Sequence, residues 1–80
     1  MDPAAIAKLI EEGIPDATVR VSSEDNTHFQ AVVVSDAFAG LRATARHQLV
    51  YRCLGELMGN EIHALSIRAQ TPGELKETGH

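Results

Sequence analysis

The sequence predicts one small α+β domain over residues 1–80, a two-layer sandwich in which helices cover one face of a three-stranded mixed sheet. Three observations lead to this class. The chain has 80 residues, which is enough for one domain. Its apolar residues recur at helical spacing in two segments and alternate at strand spacing in three others. The predicted order is α-β-β-α-α-β-α, because a helical turn precedes the longer second helix.

The first helix is predicted between Pro3 and Glu12. Asp2 can cap its N-terminus, and Pro3 suits the first helical position. Gly13 is expected to end the helix in a left-handed conformation. The buried stripe of this helix is predicted to consist of Ile6, Leu9 and Ile10.

Two strands are predicted next, over Thr18–Ser22 and His28–Val34, because apolar and polar residues alternate in both. The turn between them is short and polar, so the strands should pair as an antiparallel hairpin. The inner face of the second strand is predicted to carry Phe29, Ala31 and Val33. The other sheet face should be partly polar, with Thr18, Arg20, Gln30, Val32, Val34 and Ser66.

A helical turn capped by Asp36 is predicted after the hairpin, and Gly40 permits a change of backbone direction. The longest helix should then run over Ala45–Met58 and end at Gly59 and Asn60. Its broad apolar face is predicted to consist of Leu49, Val50, Cys53, Leu54, Leu57 and Met58.

The third strand is predicted over His63–Ala69, where a short apolar run lies between turn residues. On this strand His63 should begin the row of core residues, at the point where the strand emerges from the fold. A histidine in that position can be a satisfied core residue, or it can present one ring nitrogen outward. After the strand, Thr71 to Glu74 form a capping box that should start a short last helix at Pro72.

Composition and local pattern exclude several classes of function. The formal net charge of -4 argues against tight electrostatic binding of nucleic acid. The single cysteine, Cys53, cannot form an internal disulfide and should pack as a small hydrophobe. No signal peptide or membrane span is visible, so a cytoplasmic location without membrane contact is expected. No nucleophile and base are indicated by spacing, so the chain is not expected to be an enzyme.

A second candidate surface lies near the start of the longest helix. His47 shares a helical stripe with Tyr51, near the edge of the apolar face. One interpretation is a helix-edge histidine that forms local hydrogen bonds. The other is a partner-binding patch made by Arg46, His47 and Tyr51.

Four motifs in this order resemble the BolA family of small stress-response and iron–sulfur-trafficking proteins. They are Thr27–Phe29, Val34–Gly40, Arg46–Tyr51 and Ile62–Ile67 with Thr71-Pro72 after it. The resemblance covers nearly the whole chain, from the first helix to Glu74, and is strongest to the short bacterial branch of the family. The family fold resembles a class II KH domain, and the predicted order of elements agrees with that fold.

The resemblance also implies a metal site. The family histidine that matches His63 is implicated as a ligand of a [2Fe-2S] cluster, which is shared with a monothiol glutaredoxin and glutathione rather than bound by the chain alone. Such a protein acts in iron–sulfur cluster trafficking or in iron and stress regulation. Many members supply a second ligand, a cysteine or histidine, from the loop between the first two strands. Residues Ser22 to Thr27 contain neither, so His28 is the nearest candidate and Asp25 a weaker one.

The alternative function is that of a nucleic-acid-binding transcriptional regulator, since some family members are linked to transcription. A class II KH domain clamps the nucleic-acid backbone with a Gly-x-x-Gly loop. The corresponding region here has only Gly40, with Arg42 and Arg46 supplying positive charge. Any DNA binding should therefore be weak. Alone, the chain is expected to be a monomer or a weak homodimer.

Overall fold

The computed structural model describes residues 2–78, with side chains up to Lys76. The regular elements are α1 (Pro3–Gly13), β1 (Thr18–Ser22), β2 (His28–Val34), α2 (Ala43–Leu54), β3 (Ala64–Gln70) and α3 (Pro72–Thr78). Two 3-10 turns flank α2: Asp36–Phe38 precedes it across a short loop, and Gly55–Leu57 follows it directly. The predicted α+β class and the order of elements are confirmed.

The three strands form one mixed sheet in the order β1-β2-β3. β1 and β2 are antiparallel, with Val19 opposite Val33. β2 and β3 are parallel, with Phe29 opposite Leu65. A parallel pair cannot be joined by a tight turn, and α2 lies in the long connection that this pairing requires. The predicted hairpin and mixed sheet are both confirmed.

The core lies where the inner sheet face meets α1 and α2. Its members are fully or almost fully buried: Ile6, Ile10, Ile14, Val19, Phe29, Ala31, Val33, Phe38, Val50, Leu54 and Ile62. Leu49, Cys53, Leu57 and Met58 are half-buried against this cluster, so the predicted apolar face is confirmed. In the part of the chain that the structure describes, no helix is long and apolar enough to cross a membrane.

The N-terminal cap of α1 is as predicted, but the end of the helix is not. A carboxylate oxygen of Asp2 accepts a hydrogen bond from the N–H of Ala4 at 3.0 Å. Gly13 is the last helical residue and has no left-handed φ, while Ile14 with φ -123° is the C-cap. Gly13 matters for another reason, because a Cβ there would collide with the Sγ of Cys53 on α2. The missing side chain lets the two helices approach closely.

The second helix ends earlier than predicted. α2 stops at Leu54 because Gly55 adopts a positive φ of 53°, and the chain continues as a 3-10 turn. Gly59 also has a positive φ, of 87°, but it lies in the following turn. The apolar spacing of Leu57 and Met58 therefore belongs to this turn and not to the α-helix.

The prediction that Asp36 caps the turn after the hairpin is wrong. Ser35, rather than Asp36, caps the 3-10 turn, since its Oγ accepts the N–H of Ala37 at 3.1 Å. The same hydroxyl donates to the carbonyl of Pro15 at 2.7 Å. Ser35 is fully buried, so these two hydrogen bonds satisfy a polar group inside the fold.

Candidate functional site

Two exposed histidines lie at one end of the sheet. β2 and β3 are parallel and therefore begin at the same end, where His28 is opposite Ala64. His63 immediately precedes β3, and its N–H donates to the carbonyl of Thr27 at 3.0 Å. The N–H of Ala64 donates to the same oxygen at 3.3 Å. The backbone thus fixes His63 beside the start of β2. We call this region, made of Asp25, His28 and His63, the histidine end.

The position predicted for His63 was wrong in one respect. β3 begins at Ala64, so His63 lies in a bend before the strand and is exposed rather than part of the core row. The fully buried residue at this point is Ile62. Leu65 and Ile67 are half-buried on the inner face, as predicted. The exposed imidazole of His63 is consequently accessible to a partner molecule.

A tight turn between β1 and β2 orients His28. The Oδ1 of Asp25 accepts the backbone N–H groups of His28 at 2.9 Å and Thr27 at 3.0 Å. Its Oδ2 lies 2.8 Å from the Nδ1 of His28. The backbone hydrogen bonds from His28 and Thr27, followed by that from the His28 ring, hold the pKa of Asp25 well below its ordinary value.

This contact assigns the chemistry of the His28 ring. A carboxylate can only accept a hydrogen bond, so Nδ1 carries the proton that faces Asp25. The lone pair that can bind a metal is then on Nε2. Asp25, predicted as a weaker candidate ligand, contacts the His28 ring, and its role as a ligand stays a prediction. The spacing Asp-x-x-His at the end of a hairpin turn was the available signal for this arrangement.

Arg46 lies in a different environment from the open patch that was predicted. Its guanidinium donates to the carbonyls of Leu41 at 2.8 Å and Ala69 at 3.0 Å. It also forms a bidentate pair with the carboxylate of Glu74, at 2.6 and 3.0 Å. The Arg46 side chain is only 12% exposed, and its guanidinium lies 5.8 Å from the centre of the Phe38 ring. The positive charge of Arg46 is therefore engaged within the chain, where it joins α2 to β3 and α3.

Glu74 is held by the same network. The hydrogen bond from Arg46, followed by that from the Thr71 backbone, lowers the pKa of Glu74 to about 2. Glu74 also completes the predicted capping box, since its N–H donates to the Oγ1 of Thr71 at 3.2 Å. The N–H of Thr71 donates in return to a carboxylate oxygen of Glu74 at 3.0 Å. The capping box is confirmed, and its acid has a second role as the partner of Arg46.

The other members of the predicted partner patch reach solvent on α2. Tyr51 is 40% exposed and His47 is half-buried, one helical turn before it. Their role in partner binding stays a prediction.

The residues predicted for weak nucleic-acid contact lie in the loop before α2, where Gly40 has a φ of 78° and Arg42 is exposed. Their role in binding nucleic acid also stays a prediction. Arg46, the third residue predicted for this contact, has its charge paired with Glu74.

The only thiol of the chain lies apart from the histidine end. Cys53 is on α2, and its Sγ donates to the carbonyl of Leu49 at 3.2 Å. Burial raises the pKa of the Cys53 thiol, which keeps it protonated. Among the described residues, no group of three or more histidine, cysteine, aspartate or glutamate side chains could hold a metal ion.

Comparison with curated proteins gives relatives that cover most of the chain. The DNA-binding transcriptional regulator BolA of Vibrio cholerae is 47% identical over 78 residues, which are 88% of this chain and 74% of the relative. Human BolA-like protein 1 is 36% identical over 83 residues, which are 92% of this chain. This chain spans 61% of the length of the human protein. Neither name is that of an enzyme.

Solved structures and a family comparison agree with these relatives. The structure of a BolA homologue from Coxiella burnetii has a TM-score of 0.80 and 41% identity, over 95% of this chain and 97% of that one. The sequence profile of the BolA-like proteins matches residues 8–74. The matched region contains both histidines of the histidine end, the whole sheet and α2. The chain belongs to the BolA family.

Proposed function

We propose that this chain binds a monothiol glutaredoxin and shares a [2Fe-2S] cluster with it, in iron–sulfur cluster trafficking or in iron and stress regulation. The observation that supports the proposal is the presence of two exposed histidines, His28 and His63, at one end of the sheet. The family resemblance associates a histidine at the position of His63 with such a cluster. The cluster is the cargo of the complex, and glutaredoxin and glutathione supply its thiolate ligands.

The residues of the histidine end fit one side of a cluster. Imidazole nitrogen can replace a thiolate as a ligand of one iron, and it raises the reduction potential when it does so. His28 is oriented by a carboxylate, as metal-binding histidines usually are. His63 is exposed, its ring has no hydrogen-bond partner among the described residues, and the family resemblance associates its position with the cluster. We therefore assign His63 as the principal ligand and His28 as an auxiliary one.

Complex formation is tested by co-expression with a monothiol glutaredoxin and gel filtration under anaerobic conditions. We expect a heterodimer with visible cluster absorption. Its circular dichroism spectrum should differ from that of glutaredoxin with its own cluster, because nitrogen replaces sulfur in part of the ligand set. Elution of the two proteins as separate species, with the glutaredoxin spectrum unchanged, would contradict the proposal.

A nucleic-acid-binding regulator is the second candidate, and the name of the Vibrio cholerae relative favours it. The loop that carries Gly40 and Arg42 is exposed and could approach a phosphate backbone. Two observations place this function second. The net charge of the chain is -4, and Arg46 is already paired with Glu74.

A further inference from the structure

The outer face of the sheet carries a row of positive charge that cluster sharing does not use. Arg20 on β1 is opposite Val32 on β2, and Val32 is opposite Arg68 on β3. Side chains at paired positions of neighbouring strands point to the same face of a sheet. The two arginines therefore flank Val32, and both are exposed. Strands lie about 4.8 Å apart, which separates the two arginine Cα atoms by roughly 10 Å. We call Arg20, Val32 and Arg68 the arginine row.

In the described part of the chain, no ion pair neutralises these two charges. Among the described residues, the side chains of Arg20 and Arg68 have no ion-pair or hydrogen-bond partner. The other residues on this face of the strands include no acid: Thr18, Ser22, His28, Gln30, Val34, Ala64, Ser66 and Gln70. On a chain with a net charge of -4, the arginine row is a local positive region. Such a region favours a ligand of opposite charge.

An apolar strip lies beside the charges. Val32 and Val34 are half-buried on the same strand, and with Thr18, Arg20 and Leu75 they line a shallow groove. Leu75 of α3 is 42% exposed. The groove therefore offers hydrocarbon contact next to a guanidinium, and guanidinium groups bind carboxylates with two parallel hydrogen bonds.

We propose that this face binds an acidic segment of a partner protein, with an apolar side chain against Val32 and Val34 and carboxylates paired with Arg20 and Arg68. The proposal goes beyond cluster sharing and does not depend on it. Val32 lies four residues after His28 on the same strand, a distance of roughly 13 Å. A segment on the arginine row would thus leave the histidine end accessible.

Other occupants fit the face less well. A second copy of this chain would place arginine against arginine, because the three strands carry no acid on this face. Asp2 lines a neighbouring groove with Arg20, but its carboxylate caps α1. Single-stranded nucleic acid binds sheet faces by stacking its bases on aromatic rings. The three aromatic residues of the chain are elsewhere, with Phe29 and Phe38 buried in the core and Tyr51 on α2.

The test is a titration of the ¹⁵N-labelled 80-residue chain with a synthetic peptide of alternating glutamate and leucine, followed by NMR. A peptide with glutamine in place of glutamate is the control. We expect saturable amide shifts at Arg20, Val32 and Arg68 that weaken with added salt and are absent with the control peptide. The double variant Arg20→Gln/Arg68→Gln should bind the acidic peptide at least about fivefold more weakly.

A matched variant separates a specific site from general charge. Lys8→Gln/Arg52→Gln removes two exposed positive charges from α1 and α2, away from the sheet face, and should change the affinity less than about twofold. Equal weakening in both double variants would overturn the proposal. So would the absence of shifts on the three strands at about 1 mM peptide. Stronger binding of an oligothymidine at the same amides would assign the face to nucleic acid instead.

Discussion

At the scale of single residues, Arg46 shows what a local pattern cannot reveal. Its neighbours His47 and Tyr51 reach solvent, and the segment resembles a surface patch. Its carboxylate partner, Glu74, is 28 residues further along the chain. Nothing in the local spacing indicates that pair, because it exists only when α2, β3 and α3 are assembled. Sequence reasoning recognised Glu74 as a capping residue and missed its contact with Arg46.

The Arg46–Glu74 pair should make stability depend on pH in the acid range. The pKa of Glu74 is lowered from 4.5 to about 2 in the folded chain. A group with a lower pKa in the folded state stabilises above its unfolded pKa, and this contribution is lost as pH falls through the folded pKa. We expect the free energy of unfolding of the unmodified chain to exceed that of the Glu74→Gln variant by a constant amount above pH 4.5. The difference should shrink between pH 4.5 and about 2. Urea melts at a series of pH values measure it, and a pH-independent difference would contradict the assignment.

Leu54 tests the assignment of the core on α2. This side chain is only 3% exposed. Leu54→Ala should lower the free energy of unfolding by about 2–5 kcal/mol, from lost burial and the cavity left behind. The exposed neighbour Arg52 provides the control. Arg52→Ala should change the free energy of unfolding by no more than about 0.5 kcal/mol. Similar urea midpoints for Leu54→Ala and the unmodified chain would show that the buried face is assigned wrongly.

At the scale of elements, the strands were easier to predict than the helix ends. β1 and β2 have the predicted bounds because alternation of apolar and polar residues is a local signal. The end of α2 was missed because Leu57 and Met58 continue the apolar spacing through a 3-10 turn. Only the positive φ of Gly55 marks the true end, and a glycine inside an apolar pattern is compatible with either structure.

The histidine end was predicted only in part, because the assembled sheet brings its residues together. His63 and His28 were both named from the family resemblance, but their proximity depends on the parallel register of β2 and β3. The contact between Asp25 and the His28 ring depends on the conformation of a tight turn in which Asn26 has a positive φ of 59°. Register and turn conformation are properties of the assembled hairpin and sheet, so spacing alone does not specify them.

Gly13 tests the close packing of α1 on α2. Alanine is favoured over glycine inside a helix by about 1 kcal/mol and by less at a helix end, so the change in helix propensity at Gly13→Ala should stabilise α1 slightly. Its Cβ would collide with the Sγ of Cys53, however, and overpacking typically costs about 1–3 kcal/mol. We therefore expect a net loss of roughly 1 kcal/mol in the free energy of unfolding. The loss should be smaller when Gly13→Ala is made in a Cys53→Ala background, and a double-mutant cycle of chemical melts measures the coupling. Purely additive effects would contradict the close contact.

At the scale of the whole molecule, charge and topology separate two possible binding regions. The histidine end lies where β2 and β3 begin, and the arginine row crosses the middle of the outer sheet face. α1 and α2 cover the opposite face of the sheet. The molecule could therefore engage a cluster-sharing partner at one end while its outer sheet face stays available.

The overall charge leads to a prediction about DNA. The net charge is -4 and Arg46 is paired with Glu74, so few free positive charges remain near Gly40 and Arg42. We expect only weak binding that falls steeply with added salt. Fluorescence anisotropy with a labelled duplex, at low and at physiological salt, measures it. Sub-micromolar, sequence-selective binding at physiological salt would favour the regulator function over cluster sharing.

The cluster spectrum of His63→Ala in the complex with a monothiol glutaredoxin tests the central claim most directly. His63 is exposed and precedes β3, so its removal should leave the fold intact. The complex should still form, because partner binding is predicted to depend on the surface of α2 around His47 and Tyr51. We expect the variant to lose the absorption and electron paramagnetic resonance features of mixed sulfur and nitrogen ligation. His28→Ala should have a smaller effect, because His28 is the auxiliary ligand. An unchanged spectrum in His63→Ala, with the protein folded and the complex formed, would remove His63 from the cluster site.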